Sequence, residues 1–192
     1  QVNIAFINEL SKYFQNMKIS TYEVIEAAAT KPFGFMKFFP SLGVGGHCIP
    51  VDPHYLIHNA SELGMELPLL KLSCKTNSDM PLYVTEKLDS LYDLSKLRIQ
   101  ISGISYKSDI NDIRESPALE LITLLRSRGS DVIWHDDIVQ NWNGESSTEL
   151  KKVDLGIICT AHSKVEYNFW LENSVPIIDL SINTKTGLQK FL

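Results

Sequence analysis

The chain has 192 residues, 44% hydrophobic and 21% charged, the balance of an ordinary soluble globular protein able to bury a core as one large domain or two small ones. A formal net charge of -5 excludes nucleic acid as the main partner, because no basic excess is present to neutralise phosphates. The three cysteines Cys48, Cys74 and Cys159 are odd in number and far apart, which excludes a disulfide framework or zinc ribbon, and no metal site is expected.

From Gln1 to Met17 the residues Val2, Ala5, Phe6, Leu10, Tyr13, Phe14 and Met17 recur at helical spacing, which predicts an amphipathic helix with one buried face. The pattern begins inside a helix and without a methionine, so the chain reads as a fragment. Ser20-Thr21-Tyr22-Glu23 has the form of a capping box and opens a second helix through Val24, Ile25 and Ala28. A long loop rich in Pro, Gly and aromatics follows, from Thr30 to Val51. Asp52 and Pro53 then read as the cap and first turn of a helix that stops near Gly64. Another helix is expected from about Asp79 to Tyr92, so this half reads as all-helical.

After Ser95 the pattern changes. Leu97 to Ser102 is a short strand ending at Gly103, and Ser116-Pro117 caps a helix from Ala118 to Arg128. Val132 to Trp134, Val153 to Cys159 and Val175 to Leu180 supply further strands. Strands alternating with helices predict a parallel α/β sheet. Asp136 and Asp137, after the second strand, are read as acids solvating a strand end rather than as ligands for magnesium or flavin. No stretch approaches the ~18 apolar residues of a membrane span and no signal peptide opens the chain, so no membrane contact and a cytoplasmic location are expected.

The stretch Gly43-Val44-Gly45-Gly46-His47-Cys48-Ile49-Pro50-Val51-Asp52-Pro53 is where chemistry is expected. Its glycines allow close backbone approach to a ligand, or positive φ, and leave peptide N–H groups for an oxyanion. A cysteine near a helix N-terminus sits in a field that favours the nucleophilic thiolate. From spacing alone two readings stand: Cys48 as nucleophile with Asp52 positioning water, or a small buried cysteine followed by a capping Asp-Pro. His47 is adjacent to Cys48 on an extended loop, so a general-base role is not expected of it.

The run from Thr30-Lys31-Pro32-Phe33-Gly34-Phe35 through Gly43 to Leu56 resembles the active-site loop of the UDP-glucose/GDP-mannose dehydrogenase family. Gly103-Ile104-Ser105-Tyr106-Lys107, with Asp112-Ile113-Arg114-Glu115-Ser116-Pro117, is similar to the opening of that family's C-terminal nucleotide-sugar domain. The resemblance implies a helical central, dimer-forming domain over 1–94 with the cysteine loop, a Rossmann-like parallel α/β UDP-sugar-binding domain over 95–192, and an N-terminal NAD-binding domain absent from this chain. It implies NAD-dependent oxidation of a sugar C6 alcohol in two steps, with Cys48 carrying substrate as a thiohemiacetal and then a thioester, and Asp52 assisting proton transfer and water attack. Phe39, Pro40, Ser41, Leu42, Gly43, Val44 and Gly45, with Lys107, correspond to substrate contacts, and Arg114 to a cofactor contact. Products of such enzymes commonly enter capsule or envelope polysaccharides.

The Gly-His-Cys-Ile-Pro pattern is more similar to the branch acting on UDP-N-acetylhexosamines than to UDP-glucose 6-dehydrogenases, which remain the alternative. No arginine precedes Arg98, so an arginine that family members donate across the dimer has no counterpart, with Lys31 the candidate substitute. Gly103 offers one glycine where a dinucleotide fingerprint has three, so the chain alone is expected to bind UDP-sugar without turnover. A non-catalytic UDP-sugar-binding or dimerisation module is the rival reading.

Overall fold

The structure is a computed structural model and describes residues 1–182, 188 and 190–192. It is a mixed α/β fold in which helices precede a parallel sheet. Helices α1 (Val2–Asn16) and α2 (Thr21–Ala28) open the chain, and Ser20 caps α2 by accepting the Glu23 N–H at 3.3 Å through its side chain. Helix α3 (Cys48–Glu62) begins four residues before the expected cap. Pro53 therefore lies inside it rather than at its first turn, and Asp52 is one turn in rather than the cap. Gly64, at φ 71, ends it.

Helices α4 (Pro68–Ser78) and α5 (Met80–Leu91) follow, each with proline in its first turn, where the missing N–H is harmless. The sequence reading missed α4. Its buried residues are Ser73, Cys74 and Asn77 while Leu69 and Leu72 face outward, so no apolar stripe marks its inner side.

The expected inner face of α1 is likewise corrected. Ala5, Ile7, Asn8 and Ser11 are buried, whereas Val2, Phe6, Tyr13 and Met17 are exposed. Small and polar residues let α1 approach α4 closely, and the apolar stripe points away from the rest of the chain.

The sheet contains β1 (Arg98–Ser102), β2 (Asp131–His135), β5 (Leu155–Ile158) and β6 (Ile177–Asp179), in the order β2-β1-β5-β6 with every pairing parallel. Helix α6 (Pro117–Ser127) crosses from β1 to β2. A hairpin, β3 (Asn141–Trp142) and β4 (Glu145–Ser146), turns at Asn143-Gly144, both at positive φ as a two-residue primed turn requires. A short helix α7 (Asn168–Glu172) leads toward β6.

One face of the sheet packs Ile99, Ile101, Leu155 and Ile157 against Leu121, Ile122 and Leu125 of α6 and Met80, Val84 and Leu88 of α5. Each such side chain contributes about 1.5–3 kcal/mol on burial. A second cluster joins Ile158 to Tyr167, Trp170 and Val175, and Gly156 leaves the space that the Trp170 ring fills. The chain runs from β1 outward to β2 and returns to β5 on the other side of β1. The carboxyl ends of β1 and β5 therefore form the switch point at which open α/β sheets bind ligands.

Candidate functional site at the sheet's carboxyl end

A cleft of about 190 Å³ opens at this switch point. Ser41, Leu42, Gly43 and Gly45 form one wall, while Ser105 to Ser108, after β1, and Cys159 to Ala161, after β5, form the other. The two strand-end loops touch at Gly103 (φ 81), where a Cβ would overlap the Thr160 carbonyl oxygen.

The glycine-rich loop is held from below by α1. The Ser41 N–H donates to Asn8 Oδ1 at 2.8 Å, and Asn8 Nδ2 donates to Asn77 Oδ1 at 3.0 Å. Gly45 then passes so close to the sheet portion that a Cβ would lie 2.6 Å from Tyr106 Cβ and 2.9 Å from the Glu115 carbonyl. Gly46 donates its N–H to the Arg114 carbonyl at 2.9 Å. These two glycines are thus explained by contact between the two halves of the chain, and the Gly46 N–H is used within the fold.

The expected site residues fall into groups. Ser41, Leu42, Gly43, Gly45 and Lys107 line the cleft, and exposed Lys107 makes no salt bridge among the described residues. Val44 instead faces a neighbouring cleft of about 460 Å³ with Pro50, His54 and Glu115. Phe39 stacks on Tyr22 with ring centroids 5.0 Å apart, and Pro40 is buried beside it in sequence.

Cys48, Asp52 and Arg114 lie outside both clefts. Cys48 is the first residue of α3 and exposed, whereas Cys74 is buried and Cys159 partly so. Its sulfur is 3.9 Å from His47 Nδ1. Asp52 is one helical turn further on, which puts it on the Cys48 side of α3, and it too is exposed. Arg114 is paired with Asp112 at 2.6 Å. That carboxylate is the main cause of the upward shift of the guanidinium, to which the nearby Cys48 also contributes. Cys159 reaches the cleft, but burial pushes its thiol up, reinforced by Asp179, away from the nucleophilic form.

Beneath the Lys107 loop lies a buried polar cluster that the sequence reading did not find. Asp136, expected as a solvated acid, is 1% exposed. Its Oδ2 accepts the Ile104 and Ser105 N–H groups at 2.8 and 3.2 Å, and its Oδ1 accepts those of Ile138 and Val139, both at 2.9 Å. The His162 Nε2 lies 3.1 Å from Oδ2. Burial alone would raise the Asp136 carboxyl, but the His162 hydrogen bond and these backbone donors outweigh it and bring it to about 2. Burial opposes charge on the His162 ring, and Asp136 overcomes it, for a net upward shift. Ser116 begins α6 as expected, yet its Oγ is buried without a hydrogen-bond partner among the described residues rather than capping the helix.

A dinucleotide cradle is not formed here. Gly103 is packed against Thr160 and thirteen residues separate it from the first residue of α6, so the tight glycine turn that brings a pyrophosphate onto a helix N-terminus is missing from this strand–helix unit. Among the described residues, no helix is long and apolar enough to cross a membrane.

Residues 1–79 match the central domain of the UDP-glucose/GDP-mannose dehydrogenase family and residues 100–182 match its UDP binding domain. The chain is 29% identical over 174 residues to a UDP-N-acetyl-D-mannosamine dehydrogenase of Pyrococcus horikoshii, covering 88% of this chain and 41% of that one. It is 30% identical over 192 residues to protein CapL of Staphylococcus aureus, covering 93% and 44%. A solved UDP-glucose dehydrogenase of the hyperthermophilic archaeon Pyrobaculum islandicum superposes with a TM-score of 0.78 at 27% identity, over 97% of this chain and 46% of that one. The chain therefore spans less than half the length of these relatives. With both domain models matched in order, and the cleft lying where they meet, the chain belongs to the UDP-glucose/GDP-mannose dehydrogenase family.

Proposed function

We propose that this chain is the substrate-binding and thiol-bearing portion of a UDP-N-acetylhexosamine 6-dehydrogenase, with residues 1–94 as the central, dimer-forming unit and 95–192 as the UDP-sugar-binding unit. The observation that carries the reading is the convergence of Ser41, Leu42, Gly43, Gly45 and Lys107 on one cleft, with Cys48 exposed at the head of α3 just beyond the same loop. In this reading Lys107 meets the polar part of the nucleotide sugar, the loop wall fixes its position, and the hexose C6 extends toward Cys48.

The chemistry needs a hydride acceptor twice, supplied by NAD, which would be held mainly by a further domain joined to this chain, with Arg114 as a contact from this side. The residues of this chain carry the remaining steps. The alcohol loses a hydride and a proton to become an aldehyde, and the Cys48 thiol adds across its C=O to give a thiohemiacetal. Loss of a second hydride and proton leaves a thioester, which water cleaves to the carboxylate while restoring the thiol. Asp52, on the Cys48 side of α3, is the proposed acceptor of the water proton. Holding the aldehyde covalently prevents its escape and makes it a hydride donor. A cytoplasmic homodimer supplying uronates to surface polysaccharides completes the proposal.

Titration calorimetry of the 192-residue chain with UDP-N-acetylglucosamine, UDP-N-acetylmannosamine, UDP-glucose and NAD tests the binding half. Saturable heat is expected for the nucleotide sugars, strongest for an N-acetylated one, and none for NAD. In the protein joined to its dinucleotide-binding domain, Cys48→Ser is expected to abolish carboxylate formation. Undiminished uronate production by that variant would remove the mechanism.

A further inference from the structure

Lys107 has a backbone fixed on both sides, and the groups that fix it lead to one ring. Ser105, two residues before it, donates its N–H to Asp136 and its hydroxyl to the Lys107 carbonyl at 3.1 Å. On the other side Ser108 Oγ donates to the Ala161 carbonyl at 2.7 Å, and the Asp109 N–H donates to His162 Nδ1 at 2.9 Å. Asp109 is left-handed, at φ 62, a conformation that aspartate adopts more readily than most non-glycine residues and that its surroundings help to impose. Here the imposing partners are His162 at its N–H and Ser163, whose N–H reaches the Asp109 carboxylate at 2.9 Å.

Because Nδ1 accepts from a backbone N–H, the neutral ring carries its proton on Nε2, which faces Asp136 Oδ2 at 3.1 Å. His162 thus fastens together the loops that follow β1, β2 and β5. Burying a carboxylate and an imidazole is a costly way to gain stability alone, since an apolar pair of equal volume avoids their desolvation. It does, however, define one geometry for the loop that presents Lys107.

We infer that His162 is a positioning residue for Lys107, acting through its Nδ1 bond to the Asp109 N–H to set affinity for the anionic part of a nucleotide sugar. This inference rests on the function proposed above, in which Lys107 touches substrate. Asparagine at 162 places an amide oxygen near the Nδ1 position and keeps an acceptor for Asp109, whereas glutamine reaches toward Asp136 and forfeits it.

Calorimetry of the 192-residue chain with UDP-N-acetylglucosamine supplies the test, with each variant's fold checked by circular dichroism. His162→Ala and His162→Gln are expected to weaken binding about tenfold, on the scale of one charge-assisted hydrogen bond, and His162→Asn to stay within about threefold of wild type. In a Lys107→Ala background, His162→Ala is expected to add nothing further, because the two act as one unit. Equal affinity of wild type and the Ala variant would overturn the inference, as would full additivity with Lys107→Ala. Should His162→Ala fail to fold, the order of the other two variants decides, and tighter binding by Gln than by Asn overturns it. Absence of any wild-type binding, or an unaffected Lys107→Ala variant, would remove the proposed function and this inference with it. Wild-type binding that needs Lys107 but ignores His162 would remove the inference alone.

Discussion

Asn8 accepts the Ser41 N–H at 2.8 Å while donating to Asn77 Oδ1 at 3.0 Å, and all three residues are buried. A single amide thereby ties α1 to α4 and fixes the first residue of the cleft wall. Asn8→Ala takes the acceptor from the Ser41 N–H and the Asn8 donor from Asn77 Oδ1, while Asn77 Nδ2 keeps its bond to the Gln1 carbonyl, a penalty of about 1–3 kcal/mol for each group so affected. The expected outcome is a lower melting temperature together with weaker UDP-sugar binding, because Ser41 is released along with the packing. Thermal melts and calorimetry on one preparation check both effects. Loss of stability with unchanged affinity would mean that Ser41 does not depend on Asn8.

Gly103 and Gly144 share a similar backbone, at φ 81 and φ 79, but not similar surroundings. An added Cβ at Gly103 collides with the Thr160 backbone, while at Gly144 it meets open space. Gly144→Ala is therefore expected to cost about 1 kcal/mol from left-handed strain alone. Gly103→Ala must also separate the loops after β1 and β5, at on the order of 3 kcal/mol or more. Urea denaturation of the two variants measures the difference, and equal costs would show that the strand-end contact contributes little.

The same contrast explains what was legible in the sequence. Strands β1, β2, β5 and β6 are short apolar runs between turn residues, and α5 and α6 bury regular stripes, so periodicity finds them. Helix α4 escapes because it packs through Ser73, Cys74 and Asn77, and the buried side of α1 is misread because it packs through Ala5, Asn8 and Ser11. The Asn143-Gly144 pair is a strong hairpin signal, but the strands it joins are only two residues each. In the site, the glycine-rich loop and Lys107 stand out as motifs. His162 does not, because its role depends on Asp109 and Asp136, which only the folded chain brings to it.

The Asp136 carboxyl lies at about 2 in the folded chain, against an ordinary value of 3.8. A depressed folded-state pKa favours the native state above the unfolded pKa, and the benefit fades as pH falls toward the folded value. Asp136 is thus expected to contribute about 2 kcal/mol above pH 4, lost progressively toward pH 2. Asp136→Asn should be markedly less stable than wild type at pH 6, with the gap narrowing below pH 4. Chemical denaturation of both proteins across this range measures it. A constant gap would assign the cost to packing rather than to the charge.

The exposed side of α1 carries the last expectation. At 100° per residue, Val2, Phe6, Tyr13 and Met17 fall within about 60° of one another, while Ala5, Asn8 and Ser11 face α4 on the opposite side. Phe6 is 63% exposed and Tyr13 58%, an apolar stripe that an isolated soluble chain gains nothing by showing to water. The proposed homodimer would cover this stripe with its own copy, since a two-fold contact presents the same patch from both partners. Sedimentation velocity is expected to find the wild-type chain dimeric and the Phe6→Glu/Tyr13→Glu variant monomeric. Its circular dichroism should not change, because neither side chain belongs to the buried face of α1. A wild-type chain that stays monomeric at tens of micromolar, a range in which interfaces of standard size normally associate, would leave the stripe for some other surface to cover.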